Sequence, residues 1–283
     1  MNIKTEASSL SELQQRISNI TGIEIQKNDR LDALRQLLGV IDLTSLEGSD
    51  NTERIQNLCH KAKSFCSLGN GIPNVASVCV YPTFVKQAKA ELRNSDVIVA
   101  SVAGAFPSGQ SPVSVKLAEI NYAMQEGADE IDIVFSRGLF LEGRHEEVFN
   151  EIVTIRKATR GLPLKVILET GELLTPGNIR LAGEMAIQAG ADFIITSSGK
   201  IHPAATEEAV LVMIDVIREY HSFTGKMIGI EPAGGINEPE QALRYFQLIQ
   251  HELGQEWLNK NYFRIGANIL ADKIVKLLSG EIA

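Results

Sequence analysis

Two similar segments of the sequence differ at one position that could carry chemistry. The first is GADEIDIVF (127–135) and the second is GADFIITSS (190–198). When they are aligned on Gly-Ala-Asp, Asp132 stands opposite Ile195. Asp132 lies between two isoleucines in an apolar run, where a carboxylate needs a partner or a function. We therefore take Asp132 as a candidate catalytic residue, with a structural ion pair to Lys165 as the alternative.

Further polar residues occur inside or at the ends of other apolar runs. Lys165 and Glu169 lie in LKVILET (164–170), and Glu231 lies in MIGIEPAG (227–234). Lys165 could supply an amine, while Asp132, Glu169 and Glu231 could act as metal ligands or as an acid–base pair. Three more residues are candidates for a pocket: Asp42, Thr44 and Cys79.

Three glycine-containing turns could bind an anion. They read SSGK (197–200), AGG (233–235) and IGAN (265–268), and the last opens a helical segment. Backbone N–H groups in such turns bind phosphate in many α/β barrels, although glycines also serve simply to permit tight turns. The candidate anion ligands are Gly199, Lys200, Gly234, Gly235, Gly266 and Asn268.

These residues are distributed over a regular alternation of short Val/Ile-rich runs and longer segments of helical period. The runs span 39–44, 75–82, 97–104, 130–136, 164–170, 193–199, 227–234 and 263–268. Most lack apolar–polar alternation, which is typical of parallel strands covered by helices on both sides. Eight such units predict a single (β/α)8 TIM barrel with its active site at the carboxyl ends of the strands. A doubly wound dinucleotide-binding sheet is disfavoured, because VIDLTSLEG after the first run is no glycine fingerprint.

The beginning of the chain predicts two extra helices, SSLSELQQRISNI and KNDRLDALRQLLG. We therefore expect an N-terminal helical extension over residues 1–37 and the barrel over residues 38–283. Within the barrel, Thr206 is an expected N-cap, because acidic residues follow it in the first turn.

Composition excludes several classes of partner. The 283 residues carry a net charge of −8, which disfavours nucleic acid or an anionic membrane as the main partner. The sequence shows neither a signal peptide nor a membrane-spanning run, and its three cysteines have no metal-ligand spacing. We expect a soluble cytoplasmic protein without a metal.

Taken together, the segments resemble the deoxyribose-phosphate aldolase family. The resemblance rests on DLTSL, VASVCVYP, VASVAGAFPSGQ, GADEIDIVF, LKVILETGEL, GADFIITSSGK, PAGGI and FRIGA. It implies a (β/α)8 barrel that cleaves 2-deoxyribose 5-phosphate to glyceraldehyde 3-phosphate and acetaldehyde through a lysine Schiff base, with no cofactor. It also implies that Asp132 is the acid of a proton relay, that Lys200 belongs to the phosphate turn, and that the protein could be a homodimer.

The sequence departs from the family at the central lysines. The family reads FIKTSTGK and GFKPAGG where this chain has FIITSSGK and GIEPAGG, so Ile195 replaces the Schiff-base lysine and Glu231 replaces the lysine that lowers its pKa. The family's GASSL is GANIL here. Isoleucine cannot form an imine, and a carboxylate raises rather than lowers the pKa of a nearby amine. Glu231 could instead pair with Lys200 or Lys165.

Three hypotheses follow. The first is a barrel that binds a small phosphorylated or acidic ligand without Schiff-base chemistry. The second is an enzyme of altered mechanism, a lyase or isomerase that uses Asp132, Glu231 and Lys165. The third is an ordinary deoxyribose-phosphate aldolase, because chemistry can migrate among the strands of one fold.

Overall fold

Eight parallel strands form the centre of the computed structural model, which describes residues 8–280. Each strand lies within one of the predicted runs, so the predicted positions are confirmed. The strands are β1 Ile41–Thr44, β2 Ser77–Val80, β3 Ile98–Ala103, β4 Glu130–Val134, β5 Leu164–Ile167, β6 Phe193–Ile195, β7 Gly229–Glu231 and β8 Ile265–Ala267.

The strands close into a barrel, which confirms the predicted fold. The ladder runs from β7 through β6, β5, β4, β3, β2 and β1 to β8. The seam between β7 and β8 is bridged at two points, Ile230 to Phe263 and Ala233 to Gly266. A closed barrel places the carboxyl ends of all eight strands around one opening.

Helices surround this barrel, as expected for parallel strands buried on both faces. Within residues 8–280 they are α1 Leu10–Thr21, α2 Lys27–Gly39, α3 Thr52–Ala62, α4 Val85–Glu91, α5 Val113–Gln125, α6 Arg137–Leu141, α7 His145–Ala158, α8 Thr170–Leu173, α9 Pro176–Gln188, α10 Glu207–Thr224, α11 Pro239–Leu253 and α12 Ile269–Ser279. The expected cap of α10 is confirmed, because the Thr206 hydroxyl accepts a hydrogen bond from the backbone N–H of Ala209 at 3.2 Å.

The two N-terminal helices pack on the outside of the barrel against its last three helices. α1 contacts α10 and α11, and α2 contacts α11 and α12. Leu13 and Ile17 of α1 are buried there, and Arg16 forms a two-pronged hydrogen bond to Asp215 of α10 at 2.8 and 2.9 Å. α2 extends to Gly39 and so crosses the expected boundary at residue 37. The division at that residue stays a prediction.

None of the helices between residues 8 and 280 is both long and apolar enough to traverse a bilayer.

Candidate functional site

A cleft of about 660 Å³ opens at the carboxyl ends of the strands, where the barrel fold predicts a site. The last residues of five strands line it: Thr44, Ile167, Ile195, Glu231 and Ala267. The barrel therefore gathers side chains that are far apart in the sequence around one volume large enough for a small metabolite.

Two carboxyl groups and a thiol form the floor of the cleft. Asp132, Glu231 and Cys79 all line it, and each is at most 3% exposed. The Cys79 thiol donates to Asp132 Oδ2 at 3.7 Å, whereas Asp132 Oδ1 is buried without a hydrogen-bond partner among the described residues. Asp132 and Cys79 are thus placed where the sequence predicted site residues.

Beneath this floor, Lys165 is enclosed by carboxylates. Its Nζ lies 2.5 Å from Asp42 Oδ2, 2.9 Å from Glu231 Oε2 and 3.2 Å from Glu130 Oε2. Asp132 Oδ2 is 3.8 Å away, and Lys165 is fully buried. The expected pairing of Glu231 with Lys165 is found, and Asp132 also faces this lysine.

Arg264 is the second cation of this group of side chains, which we call the buried charge cluster. Its guanidinium donates to Asp42 Oδ1 at 2.5 Å and to Glu130 Oε1 at 2.8 Å. The cluster comprises Asp42, Glu130, Asp132, Lys165, Glu231 and Arg264, which makes two cations and four carboxyl groups. Asp42 was expected in the pocket, but it lies below the cleft, where both of its oxygens are bound by cations.

Burial and charge move the pKa values of the cluster in opposite directions. Burial raises the pKa of Asp42, but Arg264 and Lys165 outweigh it and bring the value down to about 2. Burial raises the pKa of Asp132 to about 7 and that of Glu231 to about 8, because Lys165 offsets only part of the desolvation. Near neutral pH, Asp132 and Glu231 can therefore each gain or lose a proton, and each proton they hold reduces the excess of carboxylates over cations in the cluster.

Lys165 is not poised as a nucleophile. Burial alone would lower its pKa, but Asp132, Asp42 and Glu231 outweigh burial and raise that pKa well above its usual value. An amine must be unprotonated to attack a carbonyl. Lys165 also precedes Ile167 by two positions on β5, and thus lies one inward layer deeper than the cleft wall.

Ile195 belongs to an apolar wall rather than to the charged floor. It packs with Val134, Ile167 and Ala233, and Phe106 lies against this group. Ile195 pairs with Ile167 of β5 on one side and with Glu231 of β7 on the other. Ile167, Ile195, Ala233 and Phe106 line the cleft, so this wall offers contacts to carbon atoms of a ligand beside the carboxyl floor.

The loops after β6 and β7 form the turns that were predicted to bind an anion. Gly199, Gly234 and Gly235 all have positive φ values, of 73°, 82° and 80°. A Cβ on Gly234 would lie 2.8 Å from the Cα of Gly199, so this glycine is needed for the close approach of the two loops. The hydroxyl of Thr196 fastens the loops together, since it accepts from the N–H of Ala233 at 2.9 Å.

Gly266 and Asn268 also line the cleft, but they differ in setting. Gly266 lies within β8, and a Cβ there would lie 2.8 Å from Ala233 Cβ and 3.1 Å from Glu231 Oε1. Its missing side chain thus makes room for Glu231. Asn268 is exposed and precedes α12, whose first-turn N–H groups lack intrahelical partners.

Glu169 supports the loop after β6 and does not join the other two carboxylates. It adopts left-handed backbone angles (φ 53°), and its carboxylate accepts from the N–H of Ser198 at 3.2 Å and from the Ser198 hydroxyl at 2.5 Å. The hypothesis of a metal site made of Asp132, Glu169 and Glu231 is therefore wrong in geometry. Among residues 8–280, no three His, Cys, Asp or Glu side chains form a metal-binding group.

Cations at the mouth of the cleft are already paired. Lys200 Nζ lies 2.7 Å from Glu47 Oε1, so the alternative pairing of Lys200 with Glu231 is wrong. From α3, Lys61 pairs with Asp272 at 2.7 Å and Arg54 with Asp50 at 3.2 Å. An incoming anion would compete with these carboxylates for the cations.

The comparisons with known proteins agree with this architecture. The sequence model of the DeoC/LacD family aldolases matches residues 37–266. The human protein named deoxyribose-phosphate aldolase is 43% identical over 245 residues, which cover 83% of this chain and 77% of that protein. The chain belongs to the deoxyribose-phosphate aldolase family.

Further members of the family give the same result. The mouse deoxyribose-phosphate aldolase is 41% identical over 244 residues, which cover 83% of this chain and 77% of that protein. A crystal structure of a Coccidioides immitis protein, provisionally described as a deoxyribose-phosphate aldolase, superposes with a TM-score of 0.73 at 29% identity. That superposition covers 95% of this chain and 98% of the other.

Two groups of residues at or below the cleft were not among the predicted site residues. Glu130 and Arg264 belong to the buried charge cluster, and Glu130 could have been found because it precedes Asp132 by two positions on β4 and shares its face. Arg54, Asn57 and Lys61 of α3 line the cleft. Their spacing marks one helix face, but the sequence contains no sign that this face meets the cleft.

Proposed function

We propose that this member of the deoxyribose-phosphate aldolase family binds a small phosphorylated or acidic ligand of sugar type, and does not cleave 2-deoxyribose 5-phosphate through a Schiff base. The observation that carries the proposal is Ile195 at the cleft wall, at the position where the family pattern has its lysine. An aliphatic side chain provides no nucleophile there.

The surroundings of Lys165 support the same proposal. A substitute Schiff-base lysine would need an unprotonated amine that reaches the cleft, whereas Lys165 is fully buried among carboxylates that raise its pKa. Lys200 lines the cleft, but its amine is engaged by Glu47 at the mouth. Neither lysine is set up to replace the missing one.

The ligand is expected to place its anionic group at the mouth. The turns around Gly199, Gly234 and Gly235 and the first turn of α12 present backbone N–H groups, and Lys200 is nearby. Binding of inorganic phosphate or a sugar phosphate, followed by isothermal calorimetry, tests this part of the proposal. The expected roles of Asn268 and Gly266 at this site stay predictions, as do the homodimer and the cytoplasmic location.

A second function is favoured by the floor of the cleft. Asp132 and Glu231 have pKa values of about 7 and 8. Each can therefore donate or accept a proton near neutral pH. These two residues could therefore serve a lyase or isomerase that needs no imine. Turnover of a sugar phosphate that falls by 100-fold or more in Asp132→Asn, within the range of general acid–base catalysis, would favour this function.

Ordinary aldolase activity is the competing assignment, and the 43% identity to the human enzyme favours it. Incubation with 2-deoxyribose 5-phosphate and borohydride separates it from our proposal. We expect no increase in mass and no release of glyceraldehyde 3-phosphate in a coupled assay. A covalent adduct on any lysine, located by peptide mapping, would overturn the proposal and identify the amine that carries the chemistry.

Two variants control this experiment. Ile195→Lys restores an amine at the wall, and Ile195→Met changes the same position without adding one. If trapping appears only in the lysine variant, or in that variant combined with Glu231→Lys, the method detects imines in this barrel. The lack of a trapped adduct in the native chain then means that the native chain forms no imine.

A further inference from the structure

The floor of the cleft carries an excess of acid. Two carboxyl groups that line it, Asp132 and Glu231, both contact the same buried ammonium of Lys165. With all its groups ionised, the buried charge cluster would hold four negative charges against two positive ones. The cluster would then lack two positive charges, and the cleft is the open space from which a cation could reach Asp132 and Glu231.

Asp132 also has an unused acceptor. Its Oδ2 faces the thiol of Cys79 and the ammonium of Lys165, while its Oδ1 has no hydrogen-bond partner among the described residues. The side chain is only 5% exposed. An unsatisfied buried carboxylate oxygen is costly, and its natural complement is a donor brought by a bound molecule.

The cleft changes character from floor to mouth. Beside the acids the cleft is lined by the apolar side chains of Ile167, Ile195 and Ala233, and the glycine turns and Lys200 line its mouth. A molecule complementary to this order has a cation or donor at one end, carbon in the middle and an anion at the other end.

We propose that the cleft takes a phosphorylated primary amine, whose ammonium group binds the carboxylates of Asp132 and Glu231 while its phosphate binds the glycine turns at the mouth. The inference rests on the proposed function for the phosphate end and adds the chemical class of the other end. The ligand brings an amine to Asp132 Oδ1, for which the described residues 8–280 supply no donor.

The excess of carboxyl groups in the cluster explains why a ligand ammonium should bind more tightly than a ligand hydroxyl. Burial raises the pKa of Asp132 to about 7 and that of Glu231 to about 8, so both carboxyl groups hold protons over part of the range near neutral pH. A ligand ammonium can replace such a proton, so binding releases protons into solution. The charged or titratable groups that face Asp132 and Glu231 are Asp42 on β1, Cys79 on β2, Glu130 on β4, Lys165 on β5 and Arg264 immediately before β8.

The test compares two matched series of probes on the full chain. The first comprises ω-aminoalkyl phosphates with chains of two to six carbons, and the second comprises the ω-hydroxyalkyl phosphates of the same lengths. We expect the best amine to bind roughly 10- to 100-fold more tightly than its hydroxyl counterpart by calorimetry, the range for a hydrogen bond between charged groups. Proton release should accompany binding of the amine, as detected with an indicator dye in weakly buffered solution at pH 7.

Variants at the wall locate the effect. In Ile195→Lys a protein ammonium would occupy the space, so the preference for amines should disappear while hydroxyalkyl phosphates still bind. Ile195→Met, of similar length and without charge, should keep the preference. Inorganic phosphate binding and circular dichroism report whether each variant is folded, and the comparison in the native chain decides the matter even if a variant is not.

The failures of the two proposals are distinguishable. If amines and hydroxyls bind equally, or if no protons are released, the amine inference is overturned and phosphate binding stands. If neither series binds and inorganic phosphate does not bind either, the proposed function itself is overturned. If Ile195→Lys retains the full preference, the ammonium does not bind beside Asp132.

Discussion

Glu231→Gln should change how the stability of the protein depends on pH. In the folded chain Glu231 has a pKa of about 8, raised from 4.5 by burial against the partial offset of Lys165. Between these two values the folded state keeps a proton that the unfolded state loses. The stability contributed by this proton is fully present below pH 4.5 and is lost as the pH rises toward 8.

The magnitude follows from the size of the shift. For each pH unit in this window, one retained proton lowers the free energy of unfolding by about 1.4 kcal/mol. Between pH 5.5 and 7.5 the retained proton on Glu231 therefore lowers it by about 3 kcal/mol. Asp132 acts in the same direction up to its own pKa of about 7. Glutamine does not titrate, so Glu231→Gln should unfold with a shallower dependence on pH, by about one proton.

Urea unfolding at a series of pH values measures this slope. The single tryptophan, Trp257, is buried, and its indole N–H donates to the carbonyl of Ile228 at 2.9 Å, so its fluorescence reports the folded state. Glu24→Gln makes the same chemical change at an exposed position and should leave the slope as it is. If the native chain becomes more stable between pH 5.5 and 7.5, or if Glu231→Gln has the native slope, then Glu231 is ionised in the folded protein and its pKa is not raised as stated.

Three further substitutions test the cleft and its supports. Lys165→Met removes the ammonium from four carboxyl groups and should cost about 3 to 5 kcal/mol of unfolding free energy in urea; a loss below 1 kcal/mol would contradict the role of this cation. Gly234→Ala should weaken phosphate binding more than Gly235→Ala, because both have positive φ but only the first would bring a Cβ into the facing loop; equal losses in calorimetry would refute the close approach. Glu47→Gln should strengthen phosphate binding several-fold by freeing Lys200, and Lys200→Ala should weaken it; no change in either would remove Lys200 from the anion site.

The sequence was sufficient to predict the scaffold because the scaffold depends on local patterns. The Val/Ile-rich runs, most of them without apolar–polar alternation, marked all eight strands, and the acids that follow Thr206 marked the start of α10. Once the barrel was inferred, the residues at strand ends could be assigned to one rim. Asp132, Glu231, Cys79 and Thr44 line the cleft for that reason.

What the sequence could not supply was depth within the barrel. Asp42 and Thr44 share a strand face, but only Thr44 reaches the cleft, while Asp42 lies one layer lower with Arg264 and Lys165. The layer is set by the stagger of strands around the closed barrel, which no single strand encodes. The same holds for Lys200, whose partner Glu47 follows a strand on another part of the rim.

The docking of the first helices has a consequence for how the chain is made. α1 and α2 are synthesised well before α10, α11 and α12, the helices against which they pack and bury Leu13 and Leu34. β1 likewise cannot pair with β8, its neighbour in the barrel, until β8 has been synthesised. The apolar faces of α1 and α2 therefore stay uncovered until α10, α11 and α12 have been synthesised, and we expect a chaperone to bind α1 and α2 during that interval.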